Sequence, residues 1–381
     1  MPFGRKGLMK VLILSCNTGQ GHNSAGRALI EELAARGIQA DMRDALAFES
    51  EFTSKMICTI HAKCSLHAPR LLGAGIQVAK LMDAVKMDRS PCYLANMPYA
   101  GSLYDFITEG GYDTIVAAHV FPAETVTRIL RKHPEASRLR TYFIGTDYAY
   151  PPFLHDTRLD QYFIPHPDLV DSFAKAGVPK AKLFPTGIPV AKAFSDKVDK
   201  QEARAKLGLP AEGNIILVMT GSMGFGNTEA LVANLLGRIP KNTHVLVMGG
   251  NNTRMKERLR TKYAQEPRLC VLDFTKEVSL YMDASDLLFT KPGGLSSTEA
   301  AAKGIPFLHT DPIPGWEEDN VKFFHAHGLS EYGKDPEELA IKALYLLANP
   351  WRCEAMVAAQ RQQINANAAR DICDFILKGD S

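Results

Sequence analysis

Three glycine turns, each set between an apolar run and a helix-forming stretch, hold most of the residues in this chain that can do chemistry. The first reads Ser15-Cys16-Asn17-Thr18-Gly19-Gln20-Gly21-His22. Glycines at 19 and 21 permit close backbone approach, and the unbonded N–H groups of a helix start suit an anion or a developing negative charge. His22 falls at that helix N-terminus, where the dipole favours the neutral imidazole needed by a general base that acts on a hydroxyl. The bland alternative is a histidine that only caps the helix. The turn is not the dinucleotide fingerprint: Ser24 stands at the third glycine position, and no acidic residue sits in the expected place at the end of the strand 39–43, where Arg43 precedes Asp44.

The second turn, Thr220-Gly221-Ser222-Met223-Gly224-Phe225-Gly226-Asn227, offers three glycines and a hydroxyl as a nest for a diphosphate. It lacks the Gly-Lys-Ser/Thr ending of the Mg-nucleotide hydrolases. The third, Lys291-Pro292-Gly293-Gly294-Leu295-Ser296-Ser297-Thr298-Glu299, adds hydroxyls at 296, 297 and 298 for phosphate. Glu299 is placed to accept two hydrogen bonds from a ribose cis-diol, with helix capping as its alternative role. A Pro/Gly loop, Asp311 to Asn320, ends in Trp316, Glu317, Glu318, Asp319 and Asn320, residues able to meet sugar hydroxyls or simply to form an acidic first helical turn.

Strands and helices alternate from end to end, which requires parallel sheets built from βαβ units. Strands are expected at 10–15, 39–43, 112–118, 141–146, 161–164 and near Leu183, then, after a Pro/Gly break at 185–189, at 214–220, 244–248, 269–272, 286–290 and 305–309. A single helical stretch is expected over 52–87. The length of 381 residues suits two domains. The expected boundary gives 1–190 as an acceptor and membrane-side domain and 191–381 as a sugar-nucleotide domain, with the last helix able to pack back on the first. A net charge of +2 is too small for duplex-wide phosphate neutralisation, so nucleic acid is not the expected partner. Seven cysteines show no metal spacing, no apolar run approaches a membrane span, and no export signal is evident.

GQGHNSAGRAL in the first turn, GTDYAY, FPTGIPV at the boundary, GSMGFGN, and TKPGGLSSTEAAAKGIPFLHTDPIPGWEEDN together resemble the monogalactosyldiacylglycerol synthase and processive diacylglycerol glucosyltransferase family. The resemblance runs from about Lys10 to Phe375. It implies an α/β GT-B fold, two Rossmann-like doubly wound domains facing a central cleft. The implied activity is that of an inverting hexosyltransferase, moving a hexose from a UDP-sugar to a diacylglycerol-type lipid with no metal and no other cofactor. By the same resemblance His22 is the base, with Asp147 of GTD as the alternative or its orienting partner. Gly19 and Gly21 form the acceptor-side loop. Gly221, Ser222, Gly293, Gly294 and Ser296 take the diphosphate, Glu299 the ribose, and Trp316, Glu317, Glu318 and Asn320 the donor sugar. Trp316 stands where the family usually has Gln, so the sugar is left open, and so are the exact acceptor, processivity and oligomeric state.

A bilayer-bound acceptor needs surface docking, and the candidate is the stretch 52–89, with Ile60, Leu71, Ile76, Met82 and Val85 near helical spacing among Lys55, Lys80, Lys86 and Arg89; the alternative is an amphipathic helix packed on its own domain. The expected location is cytoplasmic, peripheral on the inner face of the cell membrane. Two rivals share the architecture. A UDP-N-acetylglucosamine 2-epimerase would need no lipid, and a non-catalytic sugar-nucleotide-binding protein would have no use for His22.

Overall fold

The computed structural model describes residues 9–17, 19–50, 52, 54–56, 59–60, 63–64, 68–86, 89–219, 227–315 and 317–378. Among these the strands form two six-stranded sheets. The first contains β1 (Lys10–Ser15), β2 (Gln39–Asp44), β3 (Thr114–Ala117), β4 (Arg140–Ile144), β5 (Gln161–Phe163) and β6 (Leu183–Phe184), in the order β2-β1-β3-β4-β5-β6. The second contains β7 (Asn214–Met219), β8 (Thr243–Met248), β9 (Leu269–Leu272), β10 (Leu287–Thr290), β11 (Phe307–His309) and β12 (Glu331–Tyr332), in the order β12-β11-β10-β7-β8-β9. All neighbours run parallel.

Both faces of each sheet must be covered, and the sequence of β1 shows how. Val11-Leu12-Ile13-Leu14 is apolar at every position because successive side chains enter opposite cores. Leu12 and Leu14 pack with Leu103, Ile107, Val126 and Ile129, while Val11 and Ile13 pack with Leu29, Leu33, Ile372 and Ile376. The second group includes the helix Ala368–Lys378, which joins the first sheet although it lies far along the chain. Arg36 fastens it by ion-pairing with Asp374, and Arg140 donates to the Ile376 carbonyl at 3.1 Å. Phe375 sets its ring edge-on to those of Tyr142 and Phe163.

Accordingly the chain divides into two compact units, Met1–Lys192 with Asn367–Ser381, and Ala193–Ala366. The division falls at 192/193 rather than 190/191, and the last helix belongs to the first unit. In the second unit buried Arg204 ties the entry segment to its sheet, donating to the Ala284 carbonyl at 2.9 Å and to Asp286 at 2.7 Å.

Local differences from the sequence expectations have plain causes. The stretch 52–87 is not one helix: a helix begins afresh at Pro69 and runs to Ala84, the proline sitting in its first turn, where no N–H is needed. Residues 51–67 are described only in part. β2 extends to Asp44, so an acid does end the second strand. β12 is an added two-residue strand, too short to show periodicity.

Each sheet has one point where the chain order reverses: between β1 and β3 in the first, between β7 and β10 in the second. In doubly wound sheets the crevice beyond the carboxyl ends of such strands is where ligands bind.

Candidate active site

In the first unit that crevice holds His22. The first helix, Gln20–Ala35, starts directly after Gly19, whose backbone is extended at φ −161°. His22 Nδ1 lies 2.9 Å from the carbonyl oxygen of Ala118, just beyond β3, and 2.9 Å from Thr146 Oγ1, just beyond β4. A carbonyl only accepts, so Nδ1 carries the proton and donates it, and in the neutral ring Nε2 holds the lone pair. The capping alternative is excluded by the same bond, since this ring nitrogen faces a carbonyl of another strand rather than its own helix.

The ring is also held sideways. His119 stacks edge to face against it, centroids 4.7 Å apart, and is itself backed by Phe121 at 4.5 Å. The Phe121 N–H donates to His119 Nδ1 at 3.1 Å, so a neutral His119 carries its proton on Nε2, the opposite tautomer. A Cβ on Gly19 would sit 3.7 Å from His22 Cδ2, so the missing side chain leaves room beside the imidazole edge that bears Nε2. Asp147 follows Thr146 directly and is half-buried. Thr146 and His119 escaped sequence reasoning; the signals were GTD itself and a polar residue closing the apolar run of β3.

A polar chain braces the turn. Buried Asn23 donates to Asn17 at 2.7 Å, and Asn17 to Asp44 at 2.8 Å; Asp44 also accepts from Leu46 N–H at 3.1 Å and from the Ser54 hydroxyl. The acid at the end of β2 therefore holds protein groups, which corrects the expectation that none stands there without restoring a dinucleotide site.

In the second unit Gly221, Ser222 and Trp316 lie outside the described residues. The third turn is well defined. Its carbonyls are drawn inward one after another: Pro292 O accepts from Asn320 Nδ2 at 2.9 Å, Gly293 O from Ser297 Oγ at 2.9 Å, and Gly294 O from Thr298 Oγ1 at 2.7 Å. Gly293 stands at the N-cap of the helix Gly294–Lys303 and, lacking a side chain, offers the first turn no side-chain acceptor. A helix start of this kind suits an anion.

Two expected roles change here. Ser297 and Thr298 are fully buried and hold the turn from inside, which leaves Ser296 as the partly accessible hydroxyl. Glu317 and Asn320 are buried too: Glu317 pairs with Lys291 Nζ at 2.7 Å and accepts from Ile313 N–H at 3.0 Å. Both therefore position the turn, and Glu318 and Asp319 are the half-buried acids of that loop, Asp319 pairing with Lys322 at 3.4 Å. Lys291, in the motif but given no role by sequence reasoning, sits with its ammonium beside Gly293.

Glu299 lies past the first turn of its helix, so it does not cap. Its carboxyl receives no hydrogen bond among the described residues, and burial with no compensating charge pushes it up to about 8. Behind the turn, buried His309 contacts Ser297 Oγ through Nε2 at 2.8 Å and Ser330 Oγ through Nδ1 at 3.2 Å. Burial lowers it to about 3, which keeps it neutral at physiological pH.

Comparison with known proteins agrees with this architecture. Residues 22–190 match the monogalactosyldiacylglycerol (MGDG) synthase family and residues 199–368 match glycosyl transferases group 1. A processive diacylglycerol beta-glucosyltransferase of Staphylococcus epidermidis is 28% identical over 57% of this chain and 56% of its own length. The matched part is thus little more than half of that relative. The enzyme of the same name from Bacillus subtilis is 26% identical over 97% of this chain and 95% of its own. Among solved structures, Acinetobacter baumannii MurG shares the fold with a TM-score of 0.64, at 15% identity over 97% of this chain and 99% of its own. UDP-GlcNAc 2-epimerase of Neisseria meningitidis does so at 0.60, with 14% identity over 97% and 100%. The fold is GT-B; the chain carries a monogalactosyldiacylglycerol synthase domain followed by a glycosyl transferases group 1 domain, and its curated relatives over most of its length are named processive diacylglycerol beta-glucosyltransferases.

Proposed function

We propose that this protein transfers a hexose from a UDP-sugar to the hydroxyl of a diacylglycerol-type lipid, with inversion at the anomeric carbon. The observation that carries the reading is the Nδ1–H bond from His22 to Ala118, which fixes the tautomer so that the neutral ring holds its lone pair on Nε2 at the switch point of the first sheet. The acceptor oxygen forms its bond to the anomeric carbon as Nε2 takes its proton, and the carbon–oxygen bond to the diphosphate breaks with its electron pair leaving on UDP. The helix start at Gly293, Gly294 and Ser296 stabilises that departing charge through its backbone dipoles, so no metal is required. Asp147, beside Thr146, supports the His22 ring. Glu299 binds the ribose, and Glu318 faces the donor sugar.

The lipid side is supported by the helix Pro69–Ala84. Its apolar stripe faces solvent: Leu71 is 69% exposed, Val78 54%, Leu81 70%, and Val85 just beyond 70%. Its inner face instead carries buried Asp83. A helix inverted in this way, flanked by Lys80, Lys86 and Arg89, suits a bilayer surface with anionic lipid. No helix among the described residues is long and apolar enough to cross a membrane. In this reading the protein works bound peripherally at the cytoplasmic membrane face. The test is a donor screen of UDP-glucose, UDP-galactose and UDP-N-acetylglucosamine with diacylglycerol liposomes, products resolved by mass. A glycolipid product with one donor is expected; epimerised donor without lipid product would overturn the reading.

A further inference from the structure

The helix that turns its apolar stripe outward is held to the first unit by one carboxylate. Asp83 Oδ1 accepts from the Phe153 N–H at 2.6 Å, from His155 Nδ1 at 2.9 Å and from the Tyr150 hydroxyl at 3.3 Å, and Oδ2 accepts from Lys86 Nζ at 3.1 Å. Three of these donors belong to a single loop, 147–156, which leaves β4 through Thr146, the residue in contact with His22 Nδ1. The next residues are tied to the same loop: the Ser90 N–H donates to Asp156 at 2.8 Å, and Arg131 holds the other oxygen of Asp156 at 3.1 Å.

Strain gathers at the same place. Lys86 at φ 53°, Arg89 at φ 81° and Phe153 at φ 70° are, among the described residues, the non-glycine positions in the left-handed region, and all three flank these bonds. Such conformations cost free energy and persist where the surroundings over-determine them, often at switches and clamps. A helix needing only to be covered would bury its apolar stripe; this one is fixed by directional bonds to the loop that begins at the candidate base.

We propose that Asp83 is a positioning residue that sets the height of the lipid-facing helix relative to the Thr146–Asp156 loop, so that an acceptor held in a bilayer arrives at His22. The proposal rests on the lipid-transferase reading above. It acts through geometry: a displacement of about 1 Å at the reacting atoms costs up to about a hundredfold in rate. A soluble acceptor finds the site by diffusion and depends much less on where the helix lies.

The test uses the full chain and compares diacylglycerol in liposomes with a water-soluble short-chain diacylglycerol. For Asp83→Asn, liposome flotation and UDP binding are expected to match the wild type. Its turnover on liposomes should fall on the order of tenfold or more, and on the soluble acceptor no more than about threefold. Equal losses on both acceptors, or none, would overturn the proposal. Tyr150→Phe, which removes one donor and no charge, should move the same ratio less, and it serves if Asp83→Asn does not fold. Should the wild type transfer sugar to neither acceptor, the functional reading fails, yet the coupling is still measured: vesicles should slow amide exchange across 147–156 in the wild type and not in Asp83→Asn. Unchanged exchange in the wild type would overturn the coupling alone.

Discussion

The two switch points of this protein have the same topology and opposite chemistry. At β1/β3 the useful atom belongs to a side chain, and backbone groups hold it: Ala118 O fixes the tautomer of His22. At β7/β10 the groups that suit an anion belong to the backbone of a helix start, and side chains hold the turn: Asn320, Ser297 and Thr298 each donate to one of its carbonyls. A proton acceptor needs a titratable ring, whereas a diphosphate is met by several fixed dipoles at once. The same strand–turn–helix unit serves either need according to which partner is made rigid.

The largest effect should come from removing the side chain at the first point. His22→Ala is expected to lower kcat by about 10²- to 10⁴-fold and leave UDP affinity unchanged, read by steady-state kinetics beside calorimetry. Full turnover in that variant would erase the contrast and pass the role of base to Asp147. Next comes Glu299→Gln, which removes the charged acceptor for the ribose and should weaken uridine binding roughly ten- to a hundredfold above pH 8. Because burial raises the Glu299 carboxyl to about 8, the binding-competent carboxylate forms only as pH climbs through that value. Wild-type affinity for uridine, which has no phosphate to titrate, should therefore rise through pH 8 and level off only about one pH unit above it, while the variant stays flat.

Removing a support at the second point should matter less than removing the base. Asn320→Ala frees one carbonyl of the turn and should weaken UDP binding roughly tenfold, with kcat at saturating donor little changed. If kcat fell as far as in His22→Ala, side chains would rule both sites. The mildest probe is Gly19→Ala. The backbone there is open to any residue and the new Cβ makes an ordinary contact, so thermal stability should hold while the KM for lipid rises severalfold.

A contrast in stability sits behind the first site. Burial, followed by the neighbouring Asp156, raises the Glu124 carboxyl to about 8, and its Oε2 has no hydrogen-bond partner. The unfolded chain ionises near 4.5 and the folded one near 8, so the folded state binds the extra proton and loses stability as pH rises between those values. Glu124→Gln should flatten that slope, worth on the order of a few kcal/mol by pH 8, in melting curves taken across pH.

The alternation of strands and helices was legible because β1, β7 and β8 carry unbroken apolar runs at 11–14, 215–219 and 245–248, as a doubly covered strand requires. The glycine turns were legible because backbone chemistry needs few residue types. What the sequence did not disclose was direction. Ser296, Ser297 and Thr298 are three adjacent hydroxyls, and only packing tells that two point into the core. Glu317 and Asn320 look like sugar ligands until Lys291 and Pro292 are found against them. Asp83 gave no signal at all, because its partners in the 147–156 loop lie about seventy residues away and one of them is a backbone amide.

The placement of residues 368–378 in the first unit's core bears on how the protein is made. Residues 193–366 form the second unit without interruption and can assemble as soon as they leave the ribosome. The first unit is synthesised earlier but lacks Ile372, Cys373 and Ile376 against Val11 and Ile13 until almost the whole chain has emerged. Birth order and completion order are therefore reversed, and a nascent chain would carry an uncovered sheet face through most of its translation.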